Sequence, residues 1–125
     1  MFISGKPSIL IVDDDTMILH IFTKIFERKG YSVTIAERGK EAMEKLSINH
    51  YDVALVDLAL PDMEGNKLLP LIKNASPNTL RIMLTGKTWL QGSIEDADVF
   101  VGKPINPEKL LSIIDTKLKN QDSET

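Results

Sequence analysis

The sequence predicts an α/β domain in which five parallel strands form one doubly wound sheet with helices on both faces. Short apolar runs alternate along the chain with segments of helical periodicity. Some of these runs show no alternation of polar and apolar residues, which is typical of strands buried on both faces. Carboxylate, hydroxyl or lysine side chains follow four of the five runs. We therefore expect them to meet at the carboxyl edge of the sheet, where ligands of such folds bind.

The composition is that of a single globular domain of 125 residues. A net charge of −3 with mixed signs argues against direct binding of nucleic acid, which needs a clustered basic surface. The absence of cysteine excludes a disulfide framework and thiolate metal sites. Residues 1–12 match neither a signal peptide nor a membrane span, so we expect a cytoplasmic protein that does not bind membranes.

The first half of the chain contains two strand–helix units. The run Ser8 to Val12 is a predicted strand, and three aspartates follow it directly. Asp15, the last of these, is expected to cap the following helix, and Gly30 stands where that helix should stop. A second strand is predicted at 31–36 and a second helix at 39–48.

The third predicted strand, 53–56, ends on the carboxylate of Asp57. A proline and a glycine follow within a few residues, so the chain is expected to turn and enter a helix at 66–74. Pro70 lies inside that helical pattern. Because proline is tolerated only in the first turn of a helix, we predict that this helix starts late or kinks at Pro70.

Two further strands complete the predicted sheet. A strand at 80–84 is followed by Thr85, and a strand at 99–101 is followed shortly by Lys103. Asn106 is predicted to cap the last helix, with a proline in the first helical position.

The polar groups at the strand ends indicate a site for a metal ion and a phosphoryl group. The carboxylates of Asp13, Asp14 and Asp57 would repel one another at one edge. A magnesium ion would compensate this repulsion, because it prefers oxygen ligands and takes one or two protein carboxylates with a phosphate oxygen. The ammonium of Lys103 and the hydroxyl of Thr85 could then bind phosphoryl oxygens. An aspartate in such a site can act as a nucleophile and form an acyl phosphate.

These residues stand in four short motifs whose order and spacing resemble those of a known family. The motifs are Ile-Val-Asp13-Asp14, Val-Asp57-Leu-Ala-Leu-Pro61-Asp-Met-Glu-Gly65, Leu-Thr85-Gly86 and Gly-Lys103-Pro104. The chain resembles a receiver domain of two-component response regulators, close to the stand-alone chemotaxis-type members, over residues 7–120, with a polar tail at 121–125. The resemblance implies a flavodoxin-like fold with strand order 2-1-3-4-5. It also implies a signalling domain that catalyses only its own phosphorylation and dephosphorylation.

The resemblance assigns roles at the acidic cluster. Asp57 would accept a phosphoryl group from a histidine kinase, a phosphotransfer protein or a small phosphodonor. Asp14 would bind Mg²⁺ directly and Asp13 through water. Asp57 and the backbone carbonyl of Ala59 would supply further ligands.

The resemblance also assigns the residues that transmit the signal. Thr85 would follow the phosphoryl group, and Lys103 would pair with the aspartate or with a phosphoryl oxygen. Lys103-Pro104 would be a cis peptide. Phe100 matches the switch position, whose ring turns inward when Thr85 shifts. Signalling would then be a population shift between two conformations.

The chain departs from the family pattern in two places. Only residues 86–102 separate Thr85 from Lys103, so we expect the fourth helix of the family to be shortened or missing and the output surface to be altered. Trp89 could anchor a partner or cover this thinned segment, and we predict that it covers the segment, because burial is the commoner use of an aromatic side chain.

The second departure concerns two variable positions beside the acceptor. Ala59 offers no polar group to position a water molecule, and Lys87 could hinder its attack, so we hypothesise a long-lived phosphoaspartate. The alternative to a phosphorylated domain is an inactive pseudo-receiver that serves as a protein-interaction module.

Overall fold

The computed structural model describes residues 6–87 and 94–123, and side chains only as far as residue 121. Five parallel strands form one sheet in the order β2-β1-β3-β4-β5, as predicted. The strands are β1 (Ser8–Val12), β2 (Ser32–Ala36), β3 (Val53–Asp57), β4 (Leu80–Thr85) and β5 (Val99–Gly102). The described helices are α1 (Thr16–Arg28), α2 (Gly39–Ile48), α3 (Gly65–Ala75) and α4 (Pro107–Ser123).

Helices cover both faces of the sheet, and alternate residues of each central strand point to opposite faces. In β1, Ile9 and Ile11 belong to the core beneath α1 and α4. Leu10 and Val12 belong to the second core, beneath α2 and α3. All four side chains are at most 1% exposed. Burial on both faces explains why residues 9–12 of this strand are all apolar.

The strand register brings the polar residues that follow the strands to one edge. Val12 pairs with Val56, so Asp13 lies level with Asp57. On the other side of β3, Thr85 at the end of β4 pairs with Gly102 of β5. Lys103 follows Gly102 directly and therefore lies at the same edge of the sheet. The order of strands reverses at β1 and β3, and the crevice at such a point is the expected ligand site of an open α/β sheet.

Three helix ends follow from local sequence. Asp15 caps α1, because its carboxylate accepts hydrogen bonds from the backbone N–H groups of Met17 and Ile18. Asn106 caps α4 in the same way, with its side-chain oxygen 2.8 Å from the N–H of Glu108. Gly30 ends α1 with a φ of +91°, a conformation that disfavours residues with a Cβ. All three predictions are confirmed.

Of the two alternatives predicted for α3, the late start is wrong, and the kink at Pro70 stays a prediction. The helix begins at Gly65 and continues through Pro70 to Ala75. Its start is fixed by the turn after β3, since the N–H of Gly65 donates to the carbonyl of Leu58. The missing N–H of Pro70 removes one helical hydrogen bond. Burial of the neighbouring apolar face, including Leu69 and Ile72, compensates that loss.

The described residues between β4 and β5, 86–87 and 94–98, form no helix. Residues 88–93 lie outside the described ranges. Trp89 is one of them, so the prediction made for Trp89 also concerns residues outside the described ranges. A buried arginine on β4 holds the segment that precedes β5. The Arg81 Nε–H donates to the carbonyl of Asp96 at 2.7 Å, and its Nη2 lies 3.5 Å from Asp98 Oδ1. Lys73 of α3 pairs with the Asp96 carboxylate at 3.1 Å.

The last helix extends further than the composition suggested. Helix α4 continues to Ser123 and thus includes residues 121–123 of the predicted polar tail. The domain bounds of 7–120 stay a prediction. Among the described residues, every helix is too short or too polar to cross a membrane.

Candidate functional site

Three carboxylates meet at the carboxyl edge of the sheet. Oxygen atoms of Asp13, Asp14 and Asp57 all lie within 4.8 Å of one another. Asp13 is 2% exposed and Asp57 is 7% exposed, whereas Asp14 faces solvent. A cluster with two buried and one open carboxylate combines strong mutual repulsion with access from solvent.

Lys103 supplies the positive charge of this cluster. Its Nζ lies 2.8 Å from Asp57 Oδ1 and 3.2 Å from Asp13 Oδ2. The other oxygen of Asp13 accepts the backbone N–H of Asp15, so both oxygens of this buried carboxylate have partners. The peptide between Lys103 and Pro104 is cis, as the resemblance implied.

The pKa values of the central pair reflect competition between burial and charge. Burial raises the pKa of the Asp57 carboxyl above its usual range, and the charges of Asp13 and Asp14 raise it further. The hydrogen bond and charge of Lys103 oppose this rise without cancelling it. For Lys103, burial would lower the pKa of the ammonium, but the interactions with Asp57 and Asp13 outweigh burial and raise it.

Replacing Asp57 with asparagine is expected to stabilise the metal-free protein at neutral pH. A carboxyl whose pKa is raised on folding stabilises the protein while protonated, and this contribution is lost as the pH rises through the folded-state pKa. An asparagine side chain is uncharged, like the protonated carboxyl of Asp57. The difference in unfolding free energy between Asp57→Asn and wild type, measured by urea denaturation in EDTA, should therefore be small near pH 4 and favour the variant increasingly toward pH 7. A wild type that is the more stable protein at pH 7 would contradict this explanation.

Hydrogen bonds join Thr85 to the backbone of two residues, one that follows β4 and one that follows β5. The side chain is buried, and its Oγ1 accepts the backbone N–H of Lys87 at 3.0 Å. The carbonyl of Thr85 accepts the N–H of Lys103 at 2.9 Å. Lys87 and Ala59 are both exposed. A displacement of Thr85 would therefore be transmitted to the backbone of Lys87 and Lys103.

Phe100 lies on β5, opposite Met83 of β4. Its half-buried ring packs against the core beneath α2 and α3. Phe100 also borders a surface cavity of about 390 Å³ that Pro104 and Lys109 help to line. This residue thus lies at the boundary between the packed sheet and the cavity.

The turn after β3 packs directly against the backbone of Asp57. Gly65 donates its N–H to the carbonyl of Leu58 at 2.6 Å, and an antiparallel bridge joins Ala59 to Glu64. A Cβ on Gly65 would lie well under 3.0 Å from the carbonyl oxygen of Asp57. Glycine is therefore required for this close approach.

Sequence reasoning missed the contact that anchors the tip of this turn. The Asp62 carboxylate accepts the backbone N–H groups of Gly39 and Lys40, at the start of α2. These bonds, that of Lys40 above all, lower the pKa of the Asp62 carboxyl. Asp62 lies 23 positions from Gly39 in sequence. The one available signal was that Arg38, the N-cap residue of α2, lacks a side chain suited to capping.

Comparison with known proteins identifies the family of the chain. The sequence profile of the response regulator receiver domain matches residues 9–115. This chain belongs to the response regulator receiver domain family. As a receiver domain, it is a signalling domain of two-component systems, whose members interact with histidine kinases and output partners.

Two regulators and one solved structure illustrate the similarity of this receiver domain to its relatives. The response regulator SaeR of Staphylococcus aureus is 35% identical over 114 residues, which are 88% of this chain and 50% of SaeR. The uncharacterized transcriptional regulatory protein YkoG of Bacillus subtilis is 30% identical over 96% of this chain and 54% of its own length. A CheY-like receiver domain protein from Methanospirillum hungatei is 40% identical and superposes with a TM-score of 0.91, covering 97% of this chain and 100% of that one. The receiver domain thus spans about half the length of these two regulators.

A further similar structure was determined with bound Mg²⁺ and BeF. The response regulator TrrA of Thermotoga maritima, crystallised in complex with Mg²⁺ and BeF, is 27% identical and has a TM-score of 0.81. The comparison covers 88% of this receiver domain and 97% of TrrA.

Proposed function

We propose that this receiver domain accepts a phosphoryl group on Asp57 in a Mg²⁺-dependent reaction and changes conformation as a result. One observation carries the proposal: a buried carboxylate pairs with Lys103 at 2.8 Å and lies within 4.8 Å of two further carboxylates. A domain that served only as an interaction module would gain nothing from this concentration of negative charge, because the repulsion destabilises the fold.

Asp57 is the nucleophile of the proposed reaction. Its carboxylate oxygen attacks the phosphorus of a phosphohistidine or of a small phosphodonor, and a new O–P bond forms. The P–N or P–O bond of the donor breaks, and its electron pair stays with the leaving nitrogen or oxygen. The reaction needs ionised Asp57, and the ammonium of Lys103 favours that form. The same ammonium can then bind an oxygen of the transferred group.

The acidic cluster has the donor set that Mg²⁺ prefers. Carboxylate oxygens of Asp13, Asp14 and Asp57 are close enough to surround one small cation. The backbone carbonyl of Ala59, two residues beyond the acceptor, is a further proposed protein ligand, and Asp13 is proposed to act through water. When bound, Mg²⁺ would offset the charge of the carboxylates and polarise the phosphoryl oxygens.

The proposed switch involves Thr85 and Phe100. The Thr85 hydroxyl would donate a hydrogen bond to the phosphoryl group, which requires it to move toward Asp57. Hydrogen bonds link Thr85 to the backbone of Lys87 and Lys103, so this movement would shift the end of β4 and the start of the turn after β5. Phe100, half-buried beside an open cavity, would then change its packing. The phosphoryl group would thus favour the second of two conformations.

The proposal is tested by intact-mass measurement after incubation with acetyl phosphate or phosphoramidate. A gain of about 80 Da, the mass of one phosphoryl group, is expected with Mg²⁺ present and not in EDTA. The variant Asp57→Asn should gain nothing in either condition. If wild type gains no mass and binds no Mg²⁺ in a calorimetric titration, the domain is an inactive pseudo-receiver that acts as an interaction module.

Replacing Lys87 with alanine is expected to shorten the lifetime of the phosphoaspartate. The exposed lysine lies two residues after Thr85, where its charged side chain could hinder an attacking water molecule. The backbone bond from residue 87 to Thr85 is retained in the variant. We expect the loss of phosphoprotein, followed by intact mass after removal of the donor, to be several-fold faster. Lys24→Ala, on the exposed face of α1, is the control, and a rate equal to wild type in Lys87→Ala would contradict the hypothesis.

A further inference from the structure

Helix α2 begins without a cap of its own. Its N-cap residue, Arg38, has an extended backbone and makes no side-chain capping bond. The first two backbone N–H groups of the helix are instead bonded by Asp62, from the turn after β3. Gly39 donates to Asp62 Oδ1 at 2.8 Å, and Lys40 donates to Oδ2 at 2.9 Å. Both oxygens of one carboxylate therefore attach the tip of this turn to α2.

A second contact attaches the same turn to α2. The Met63 side chain packs on Gly39, where an added Cβ would lie 2.6 Å from the sulfur atom. At its base the turn is closed by the bond from Gly65 to Leu58 and by the bridge between Ala59 and Glu64. Residues 58–64 thus form a short closed loop that is fixed at both its base and its tip.

This closed loop carries part of the proposed metal site. It begins directly after Asp57 and includes Ala59, whose carbonyl is a proposed Mg²⁺ ligand. A side-chain cap at position 38 would stabilise α2 without any contact to the loop. The use of Asp62 as the cap therefore makes the position of the loop depend on the start of α2.

We propose that Asp62 is a positioning residue for the Mg²⁺ site, acting through the loop at 58–64. This inference rests on the function proposed for Asp57. Contacts that orient metal ligands commonly change metal affinity by 10- to 100-fold when they are removed. Since Ala59 would be only one of several ligands, we expect the lower end of this range.

The test separates positioning of the loop from capping of the helix. The variant Asp62→Ala loses both roles, whereas Arg38→Ser with Asp62→Ala regains a local cap on α2 but leaves the loop untied. Arg38→Ser alone controls for the loss of the arginine. Glu64→Gln removes an exposed negative charge from the same loop and controls for long-range electrostatic effects. Each protein is measured by urea denaturation in EDTA and by calorimetric titration with Mg²⁺.

We expect Asp62→Ala to lower the urea midpoint and to raise the Kd for Mg²⁺ by about tenfold. In the double variant the urea midpoint should rise from that of Asp62→Ala toward that of Arg38→Ser, while the Kd stays raised. A Kd that recovers together with the midpoint would show that Asp62 only caps the helix. Equal Kd values in wild type and Asp62→Ala, or an equal rise in Glu64→Gln, would also overturn the inference. If wild type itself bound no Mg²⁺, the function proposed for Asp57 would fail as well.

Discussion

Replacing Gly65 with alanine is expected to lower the free energy of unfolding by roughly 3 kcal/mol and to abolish phosphorylation. The added Cβ would collide with the backbone carbonyl of Asp57, which cannot rotate away as a side chain can. Relief of the clash requires α3 to move, and that movement would break the 2.6 Å bond from Gly65 to Leu58. Both the core beneath α3 and the backbone of the acceptor would be displaced.

Gly86→Ala is the matched control for this experiment. Gly86 directly follows Thr85 at the same edge of the sheet, but a Cβ there would meet no atom within 4 Å. We expect a change within about 0.5 kcal/mol, measured by urea denaturation, and phosphorylation by phosphoramidate at the wild-type rate. Equal effects of the two substitutions would show that the close approach of Gly65 to Asp57 is unimportant.

Replacing Lys103 with methionine is expected to slow phosphorylation by a factor on the order of 10². Methionine retains most of the length of the side chain and removes the charge. The variant leaves Asp13 and Asp57 without the ammonium that lies 3.2 and 2.8 Å from them. The pKa of Asp57 should rise further, because the interaction that opposes its rise is lost. Stabilisation of the transferred phosphoryl group by the ammonium would be lost as well.

The rate is measured as the gain in intact mass with phosphoramidate at saturating Mg²⁺. Lys109→Met removes an exposed lysine from the first turn of α4 and serves as the control for net charge. Equal slowing of both variants would indicate a general electrostatic effect. A wild-type rate in Lys103→Met would exclude Lys103 from the reaction.

The sheet and the acidic cluster could be predicted because their signals are local. An apolar run such as Ser8–Val12 can be a strand buried on both faces, and the aspartates after it must then lie at its carboxyl end. Parallel pairing of β1 with β3 brings Asp13 level with Asp57. The polar residues that follow four of the strands therefore indicated which side chains would meet at this edge of the sheet.

Contacts between distant residues could not be predicted in this way. Asp62 and Arg81 are single polar residues whose partners lie on other elements. The sequence gives no periodic signal that would pair Asp62 with the start of α2 or Arg81 with the carbonyl of Asp96. Pro70 misled the prediction of where α3 begins for a related reason. Local propensity disfavours proline there, but the buried face of the helix and the bond at Gly65 determine where it begins.

The most direct test of the proposed function is to identify the phosphorylated residue chemically. Protein incubated with acetyl phosphate and Mg²⁺ is reduced with borohydride, which converts an aspartyl phosphate to homoserine, and its peptides are then sequenced by tandem mass spectrometry. We predict homoserine at position 57, and no homoserine when Mg²⁺ is removed with EDTA before the donor is added. Homoserine at position 13 or 14, or a phosphorylated protein in which Asp57 is unmodified, would contradict the assignment of Asp57 as the acceptor.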